Sequence, residues 1–278
     1  MATTHASPSV PPAVQVDGLV AEYDGRAVLD RVSMQAQQGE ITVVLGESGC
    51  GKTTLLRHIV GLLTPKAGRV CINGQDFHAA SEEERERILR DVGMSFQGGA
   101  LFGSLTLEEN VALPIIEHTQ VDRDTATMLA RMKLCVVGLE HAARLLPAEI
   151  SGGMKKRAAV ARALALDPGL LLFDELSAGL DPVTARELDE LVLRLKEHLG
   201  VTIVIVTHEL GSIQTIADRA VMLDAGKVLA AGSLEEVRQT DHPKIRAFFD
   251  RRPRARTLRG DLRDSLIVNG EQYGTGSG

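Results

Sequence analysis

Apolar positions recur with two different periods in the first part of the chain. The stretches VQVDGLVAEY and AVLDRVSMQAQ are predicted as strands, and EITVVLG is a continuous β-branched run that ends in glycine, as a buried strand does. KTTLLRHIVGLL then carries apolar residues at helical spacing, with Pro65 and Gly68 just past its end. The predicted order is strand, glycine-rich loop, helix.

The same alternation returns later in the chain. LLLFDE is predicted as a buried strand, PVTARELDELVLRLKEHLG as a helix and VTIVIVTH as a further strand. Asp181 fits the N-cap of that helix, Pro182 its first position and Gly200 its end. Because strands that alternate with helices favour a mainly parallel sheet, the pattern predicts an α/β fold.

The region between these two parts has a weaker pattern. Ser81 and Glu84 form a capping box at the start of the helix SEEERERILRDVG. VGMSFQ is predicted as a strand that leads into a loop, GGALFGSLTLEENVALP, and residues 122–139 as a helix of weak period. We therefore predict a helical insertion here, and near the end of the fold a hairpin that turns at Ala225 and Gly226.

These patterns divide the chain into three segments. Residues 1–13 are rich in Ser, Pro and Thr and are predicted as a tail, and residues 14–250 as one domain that contains the helical insertion at about 98–160. Residues 251–278 have the composition of a second tail. We interpret its RRPRAR run as a solvated stretch, with contact to a partner ATPase or to anionic headgroups as the alternative, and its LRDSLIV run as apolar enough to dock on a partner.

Composition and charge narrow the class of protein. The chain has 278 residues, of which 44% are hydrophobic and 24% charged, as in an ordinary soluble globule. A net charge of -6 with 3% aromatic residues and no Trp argues against a nucleic-acid partner. No run approaches about 18 apolar residues and the first residues lack signal-peptide features, so we expect no membrane span and a cytoplasmic protein. The scattered Cys50, Cys71 and Cys135 predict neither a disulfide nor a zinc site.

The glycine-rich loop GESGCGKT, which we call the phosphate loop, matches GxxxxGK[ST] between a buried strand and a helix. Its N–H groups and the helix N-terminus would bind the phosphates of ATP, with Lys52 at the β- and γ-phosphates and the Thr53 hydroxyl on Mg²⁺. The alternative is a glycine-rich turn beside a lysine. Cys50 is interpreted as a small filler, with an oxidisable thiol of lowered pKa as the alternative. The nucleotide-binding residues predicted here are Gly46, Glu47, Ser48, Gly49, Cys50, Gly51, Lys52, Thr53 and Thr54.

Acidic side chains follow the apolar run LLLF. Asp174 and Glu175 stand at the end of a predicted strand, where ligands of open α/β sheets gather. Asp174 would belong to the Mg²⁺ shell, and Glu175 would accept a proton from the water that attacks the γ-phosphate, or orient that water. His208 ends another strand at the same edge. The alternatives are two solvated acids and a structural histidine.

A second anion site is predicted farther along the chain. In ISGGM, Ser151, Gly152 and Gly153 offer a hydroxyl and backbone amides just ahead of the helix MKKRAAVARALA. Because the phosphate loop already covers one face of the nucleotide, this second loop makes most sense if it closes over a nucleotide held by another copy of the chain.

The motifs together resemble those of an ABC-transporter ATPase. GESGCGKT resembles the Walker A motif, ISGGM the signature loop, LLLFDE the Walker B motif, SAGLD the D-loop, and FQ and TH the motifs around Gln97 and His208. The resemblance covers the chain from Val14 to about Asp250. It implies a P-loop NTPase fold of the ABC ATPase type, with a mainly parallel core sheet, an N-terminal antiparallel β subdomain and a helical subdomain.

The resemblance also implies roles for single residues. Tyr23 would stack on adenine, with an ordinary strand residue as the alternative, and His208 would contact the γ-phosphate. Gln97 would join Mg²⁺ and the attacking water to a membrane partner. Ser151, Gly152 and Gly153 would contact the nucleotide of the opposite subunit in a head-to-tail homodimer, and Asp181 would communicate across that dimer.

The chain departs from the family pattern at two positions. Met154 stands where the signature usually has Gln, and Leu176 where Pro usually follows the catalytic Glu. Since neither change removes a catalytic group, we expect ATP hydrolysis to survive.

A narrower resemblance concerns the kind of transporter. The runs FQGGALFGSLTLEENVALPIIEHT and LPAEISGGMKKRAAVARALALDP look like those of Mce/Mla-type lipid transporter ATPases. This resemblance implies a peripheral subunit on the cytoplasmic face of the inner membrane, with a permease and an Mce-type lipid-binding subunit as partners. Leu101, Phe102 and Leu105 would be exposed and form an apolar groove for a permease helix, with burial in the insertion as the alternative.

Other functions share some of these motifs. An importer ATPase for a polar solute such as an amino acid, or a regulatory module without turnover, is compatible with the sequence. A DNA-repair or chromosome ATPase would need a long coiled coil, and a translation-associated ABC protein would need two motif sets; the sequence has neither feature. A small-molecule kinase would lack the SGG loop and the base at the strand end, which this sequence has as Glu175.

Overall fold

The computed structural model describes residues 10–23 and 25–250. Its strands are, in chain order, β1 (Val14–Tyr23), β2 (Arg26–Ala36), β3 (Ile41–Leu45), β4 (Ala67–Ile72), β5 (Gln75–Asp76), β6 (Val92–Ser95), β7 (Leu170–Asp174), β8 (Thr202–Thr207), β9 (Arg219–Asp224) and β10 (Lys227–Ser233). Its helices are α1 (Lys52–Ile59), α2 (Glu82–Arg90), α3 (Leu107–His118), α4 (Arg123–Val136), α5 (Gly152–Ala163), α6 (Pro182–Leu199), α7 (Leu210–Ile216), α8 (Leu234–Gln239) and α9 (Pro243–Phe249).

A mainly parallel sheet forms the centre of the fold, with its strands in the order β10-β9-β3-β8-β7-β6. β9, β3, β8, β7 and β6 are parallel to their neighbours, and β10 pairs antiparallel with β9. β3, β7 and β8 are buried over their whole length, which is why they appear in the sequence as continuous apolar runs. The predicted α/β fold is confirmed.

The register of these strands brings their ends to one edge of the sheet. Leu45 at the end of β3 pairs with Thr207 at the end of β8, and Asp174 at the end of β7 pairs with Val206. The residues that follow therefore meet at the same edge, because the strands are parallel. They are the phosphate loop after β3, the acidic pair at the end of β7, and His208 after β8.

A second sheet covers one face of the central sheet. Its strands are antiparallel and in the order β2-β1-β4-β5, as the family resemblance implied. Leu19, Leu29 and Val32 from this sheet are fully buried and share a core with Leu172 and Val204 of the central sheet. Since burying one such side chain contributes about 1.5–3 kcal/mol, this core holds the two sheets together.

Helices cover the opposite face of the central sheet. Leu171, Phe173 and Ile203 point to that face and pack in one core with α3, α4, α5 and α6. α3 and α4 bury Val111, Ile115, Ala130 and Leu134 in it. The core is thus continuous from the sheet into the helical insertion.

Helix α3 corrects one prediction. The run GGALFGSLTLEENVALP was predicted as a loop, but α3 begins inside it, at Leu107. Thr106 and Glu109 form a capping box that satisfies the free N–H groups of the first turn. Pro114 lies within the helix and weakens the helical signal of the sequence, because proline disfavours helix interiors.

The hairpin between β9 and β10 turns where the sequence predicted it. Ala225 has a φ of 45° and Gly226 a φ of 78°, as a tight hairpin turn requires. A Cβ on Gly226 would lie 2.4 Å from the carbonyl oxygen of Val28, so the turn packs tightly on β2. The Gly226 N–H donates to the carbonyl oxygen of Cys50 at 3.1 Å. The hairpin therefore supports the phosphate loop through this hydrogen bond to Cys50.

Within the described ranges, no helix combines the length and the apolar character that crossing a membrane requires. The predicted second tail, at 251–278, and residues 1–9 of the predicted first tail lie outside the described residues. β1 begins at Val14, where the first tail was predicted to end.

Candidate active site

The phosphate loop connects the end of β3 to the first turn of α1. Gly46 has a φ of 152°, and a Cβ there would lie 2.2 Å from the carbonyl oxygen of Leu223 on β9. Glycine is therefore required for the chain to leave the sheet at this point. Glu47, Ser48 and Gly49 are exposed at the tip of the loop. The phosphate loop ends at the N-terminus of α1, where the first N–H groups of the helix favour negative charge.

Lys52 lies inside the curve of the phosphate loop. It is 6% exposed, and its Nζ donates to the carbonyl oxygens of Gly46 at 2.9 Å and Glu47 at 3.1 Å. The loop thus brings an ammonium group, backbone N–H groups and a helix N-terminus together. This arrangement suits an anion that carries several oxygens.

Cys50 is a packing residue of the loop. Its side chain is 6% exposed, and its Sγ would be 2.7 Å from a Cβ on Gly46. Burial raises the pKa of the thiol and outweighs the opposing effect of Lys52. The interpretation as a small filler fits this environment. The alternative of a thiol with a lowered pKa is wrong, because burial disfavours the thiolate.

Thr53 and Asp174 join the start of α1 to the end of β7. The Thr53 hydroxyl donates to Oδ1 of Asp174 at 3.1 Å. Asp174 is 3% exposed, and burial raises the pKa of its carboxyl, whereas the Thr53 hydrogen bond lowers that pKa. A hydroxyl and a carboxylate oxygen so close together are ligands of the kind that Mg²⁺ prefers.

Glu175 and His208 form a pair at the neighbouring strand ends. Nδ1 of His208 lies 2.9 Å from Oε1 of Glu175, and the Glu175 N–H donates to the carbonyl oxygen of Val206 at 2.9 Å. Oε2 of Glu175 is buried, and no group in the described part of the chain hydrogen-bonds to it. Since an unpaired buried carboxylate oxygen is costly, this atom is suited to accept a proton or a hydrogen bond from a reactant.

Glu175 also has an unusual backbone. Its φ is 52°, in the left-handed region, which costs a residue other than glycine on the order of 1–3 kcal/mol. Such strain persists only where surrounding contacts impose it, and it is concentrated at functional sites. The backbone of Glu175 is therefore held in this conformation by its neighbours.

The ISGGM loop begins helix α5. The Ser151 hydroxyl accepts a hydrogen bond from the Met154 N–H at 3.2 Å and so caps the helix. Ser151 and Gly152 are exposed, and Met154 is half-buried against the core. No hydrogen bond between described residues joins Ser151, Gly152 or Gly153 to the phosphate loop of the same chain. Gly153, by contrast, is buried, and a Cβ there would lie 2.4 Å from the side chain of Thr184 on α6.

A family model described as ABC transporter matches residues 29–178. The chain belongs to the ABC transporter family. It is an ATPase of that family, and the predicted family and enzyme class are confirmed.

Similar curated proteins cover most of the chain. The intermembrane phospholipid transport system ATP-binding protein MlaF of Haemophilus influenzae is 40% identical over 85% of this chain and 89% of its own length. MlaF of Escherichia coli K12 is 41% identical over 81% of this chain and 84% of its own. The probable ribonucleotide transport ATP-binding protein mkl of Mycobacterium tuberculosis H37Rv is 38% identical over 86% of this chain and 67% of its own length.

Solved structures with the same fold are ABC ATPases. The cbiO1 protein of Clostridium perfringens, part of the transporter complex cbiONQ, is 29% identical, with a TM-score of 0.75 over 82% of this chain and 90% of that chain. A dimer of the ATP-binding cassette MJ0796 in a post-hydrolysis state, bound to ADP and Pi, is 30% identical, with a TM-score of 0.72 over 80% of this chain and 98% of that chain.

Gln97 of this ABC ATPase is exposed. It lies shortly after the end of β6, the strand that pairs with β7. The loop that follows is fixed by residues that the sequence did not single out. Arg162 of α5 donates to the carbonyl oxygens of Gly99 at 2.9 Å and Ala100 at 2.7 Å. Asn110 of α3, fully buried, accepts from the Phe102 N–H at 2.8 Å. An Asn among apolar residues, as in LEENVALP, is the sequence signal that could have indicated this role.

Two of the three residues of the predicted apolar groove are not exposed. Phe102 is 52% exposed, with the guanidinium of Arg162 5.9 Å from the centre of its ring. Leu101, however, packs on the core of the helical insertion, and Leu105 is half-buried. The prediction of three exposed residues is wrong for Leu101 and Leu105, and the alternative of burial in the insertion fits Leu101, which packs on the core that the insertion shares with the central sheet.

The remaining predicted residues lie at the expected elements. Asp181 caps α6 by accepting from the N–H groups of Val183 at 3.0 Å and Thr184 at 3.1 Å. Its pKa is lowered, first by the hydrogen bond from the Thr184 hydroxyl and then by these backbone hydrogen bonds. Thr54 is half-buried in the first turn of α1. Tyr23 ends β1. Leu176 is 5% exposed and packs in the core, which explains how leucine is accommodated there.

Proposed function

We propose that this chain is the ATP-hydrolysing subunit of a transporter that moves phospholipid. The support for the cargo is the similarity to MlaF, a protein named for intermembrane phospholipid transport, at 40% identity over 85% of this chain. The transporter would contain a separate permease and an Mce-type lipid-binding subunit. The chain itself would be a peripheral subunit on the cytoplasmic face of the inner membrane, with its ATPase domain at 14–250, the helical subdomain at about 98–160 and the second tail available for a partner.

The nucleotide would bind at the phosphate loop. Lys52 would exchange its backbone partners for oxygens of the β- and γ-phosphates, and the N–H groups of the loop would bind the others. Tyr23 would stack on the adenine. The full set of nucleotide-binding residues in this proposal is Tyr23, Gly46, Glu47, Ser48, Gly49, Cys50, Gly51, Lys52, Thr53 and Thr54, with Ser151, Gly152, Gly153 and Asp181 from the opposite subunit.

Thr53 and Asp174 would hold Mg²⁺, with Gln97 as a further ligand. The adjacent hydroxyl and carboxylate oxygens of Thr53 and Asp174 fit this ion, and the buried position of Asp174 would make its charge effective. When bound, Mg²⁺ would neutralise charge on the phosphate oxygens.

Glu175 would accept a proton from the attacking water. The observation that carries this assignment is the carboxylate itself, with Oε1 held by His208 and the buried Oε2 without a partner among the described residues. His208 would fix the orientation of the carboxylate and lie close enough to the edge of the sheet to contact the γ-phosphate. A positioned base of this kind contributes about 10²–10⁴-fold to the rate.

A homodimer would complete the site. Ser151 and Gly152 are exposed at the N-terminus of α5, and within the described ranges they form no hydrogen bond with the phosphate loop of their own chain. Two copies arranged head to tail would place this N-terminus on the γ-phosphate of the other copy. The solved structures of the similar MJ0796 cassette are dimeric.

Purification of the full-length chain with its membrane partners tests the proposed function. We expect a permease and an Mce-domain protein to co-purify, and the reconstituted complex to transfer fluorescent phospholipid between vesicles only when Mg²⁺ and ATP are present. Co-purification of a periplasmic amino-acid or sugar binding protein, without lipid transfer, would contradict the phospholipid assignment.

A polar solute is the second candidate cargo. The similar mkl protein is named as a probable ribonucleotide transport ATP-binding protein, at 38% identity over 86% of this chain. ATP-dependent uptake of a ribonucleotide into vesicles that contain the complex, without lipid transfer, would favour this candidate.

A further inference from the structure

Lys156 is a buried cation that joins two parts of the active site. It lies in α5, shortly after the signature loop, and is 8% exposed. Its Nζ donates to the carbonyl oxygen of Gln97, and also to the carbonyl oxygen of Glu175 at 3.1 Å. One ammonium group therefore contacts the backbone of two residues to which we assign roles in hydrolysis.

The burial of this ammonium is energetically costly. Burial lowers the pKa of Lys156, and the nearby carboxylates of Asp174 and Glu175 act in the opposite direction. A side chain that only filled space at this position would be apolar, because a buried charge destabilises the protein unless it is paired and hydrogen-bonded. The position therefore requires the donors of the lysine and not merely its volume.

The two carbonyl groups belong to residues that follow adjacent strands of the central sheet. Ser95 of β6 pairs with Phe173 of β7, and Gln97 and Glu175 follow these strands at the same edge. Beyond the strand ends, the Glu175 N–H still bonds to the Val206 carbonyl oxygen of β8, whereas the link between the Gln97 and Glu175 carbonyl groups comes from another layer of the fold. Lys156 supplies that link from outside the sheet, since α5 belongs to the layer of helices.

Glu175 depends most strongly on this link. Its φ of 52° turns the backbone sharply after β7. The N–H of Glu175 is held by the Val206 carbonyl of β8, and its carbonyl is held by Lys156 of α5. With both of its own backbone polar groups bonded, the direction of its Cα–Cβ bond is fixed. From this position its Oε1 reaches His208.

We propose that Lys156 is a positioning residue for ATP hydrolysis, which ties the Gln97 and Glu175 backbones together and thereby aims the Glu175 carboxylate. The inference rests on the roles proposed above for Gln97 and Glu175. Lys156 itself would not touch the nucleotide. Its effect would be on the chemical step and not on nucleotide binding, which belongs to the phosphate loop.

Three substitutions of Lys156 and one control separate this role from a structural one. Lys156→Met keeps an unbranched side chain that is one atom shorter and removes its donors. Lys156→Gln keeps a neutral donor, and Lys156→Arg keeps both charge and donors. Lys155→Met is the matched control, because Lys155 is the half-exposed neighbour on the same helix turn.

Each full-length variant is assayed with the membrane complex that co-purifies with it. We expect Lys156→Met to lower kcat about tenfold or more while KM for ATP changes less than about twofold. Lys156→Arg and Lys156→Gln should each recover part of kcat, and Lys155→Met should match the wild type. Thermal unfolding of each variant with and without Mg²⁺ and ATP should show the same stabilisation by nucleotide in all of them.

Two results would overturn the inference. One is a Lys156→Met variant with the kcat of the wild type. The other is a loss of kcat that occurs together with an equal loss of nucleotide-induced stabilisation and is not recovered by Lys156→Arg or Lys156→Gln, since this pattern would mark a structural lysine. A wild-type complex without ATP turnover would overturn the proposed function as well, so the two failures are distinguishable.

Discussion

Glu175 and His208 share a hydrogen bond that uses one carboxylate oxygen and leaves the other free. Oε1 of Glu175 lies 2.9 Å from Nδ1 of His208, while Oε2 is buried without a hydrogen-bond partner among the described residues. The pair joins the ends of the adjacent strands β7 and β8. Because both residues directly follow strands of the central sheet, Oε2 lies at the edge of the sheet from which the phosphate loop also starts.

Glu175→Gln should abolish hydrolysis but not nucleotide binding. The amide cannot accept the proton of the attacking water, so we expect kcat to fall at least about 100-fold. Nucleotide affinity should be retained, because the phosphate loop is unchanged. Steady-state ATP turnover and equilibrium binding of a fluorescent ATP analogue measure the two effects.

Glu187→Gln is the control for this experiment, since Glu187 is an exposed carboxylate on α6. It should retain wild-type turnover. If the wild type hydrolyses ATP no faster than Glu175→Gln, even with its permease, the chain is a regulatory module and not an enzyme.

The sequence predicted those parts of the site that lie at strand ends. Asp174 and His208 follow continuous apolar runs, and the edge at which they meet follows from parallel strands. Leu101 and Lys156 could not be predicted in the same way. Their environments depend on contacts between α5, the loop after β6 and the insertion, which are distant in sequence and have no local pattern. Helix α3 was missed because Pro114 weakened its signal.

Thr53→Val should shift the pH dependence of Mg²⁺ use. Burial raises the pKa of Asp174 and the Thr53 hydrogen bond lowers it, so loss of the hydroxyl should raise this pKa further. Since Mg²⁺ needs the ionised carboxylate, the Mg²⁺ concentration for half-maximal turnover should increase on acidification, and should do so from a higher pH in Thr53→Val than in the wild type.

Thr53→Ser is the control because it keeps a hydroxyl, and it should follow the wild-type pH profile. The contribution of the Asp174 carboxyl to the free energy of unfolding changes with pH in the direction opposite to that of Mg²⁺ binding. A carboxyl whose pKa is raised by folding contributes stability at low pH and loses that contribution as the pH rises through its folded pKa. Identical Mg²⁺ profiles for Thr53→Val and the wild type would contradict the assignment of Thr53 and Asp174.

Asn110→Ala should loosen the loop after Gln97. The buried amide of Asn110 accepts from the Phe102 N–H and donates to the Phe102 carbonyl at 3.1 Å. Truncation removes the partners of these partly buried backbone groups of Phe102, and we expect a loss of about 1–3 kcal/mol in the free energy of unfolding. Urea unfolding of the purified chain measures this change. Glu117→Ala, an exposed change on the same helix, should have an effect within about 0.5 kcal/mol.

Gly226→Ala should destabilise the fold from the hairpin. Its φ of 78° disfavours alanine, and the new Cβ would lie 2.4 Å from the backbone carbonyl oxygen of Val28. We expect a loss of about 1–3 kcal/mol, or about 2–4 °C in Tm for each kcal/mol. Gly211→Ala is the control, because a Cβ there has no atom within 4 Å and the residue lies in helix α7. An equal Tm for both variants would contradict the close packing of the hairpin turn.

Ser151→Arg should abolish turnover, whereas Met154→Gln should keep it within a few-fold. The Ser151 hydroxyl caps α5 at an exposed position, where a long cationic side chain would obstruct the nucleotide of the opposite copy. Met154 offers its N–H to that cap, while its side chain is half-buried against the core, where a flexible thioether adapts to irregular surroundings. The signature loop therefore needs the backbone of residue 154 more than its side chain. ATP turnover of both variants decides this. An equal loss in both would show that the thioether of Met154 has a role in hydrolysis.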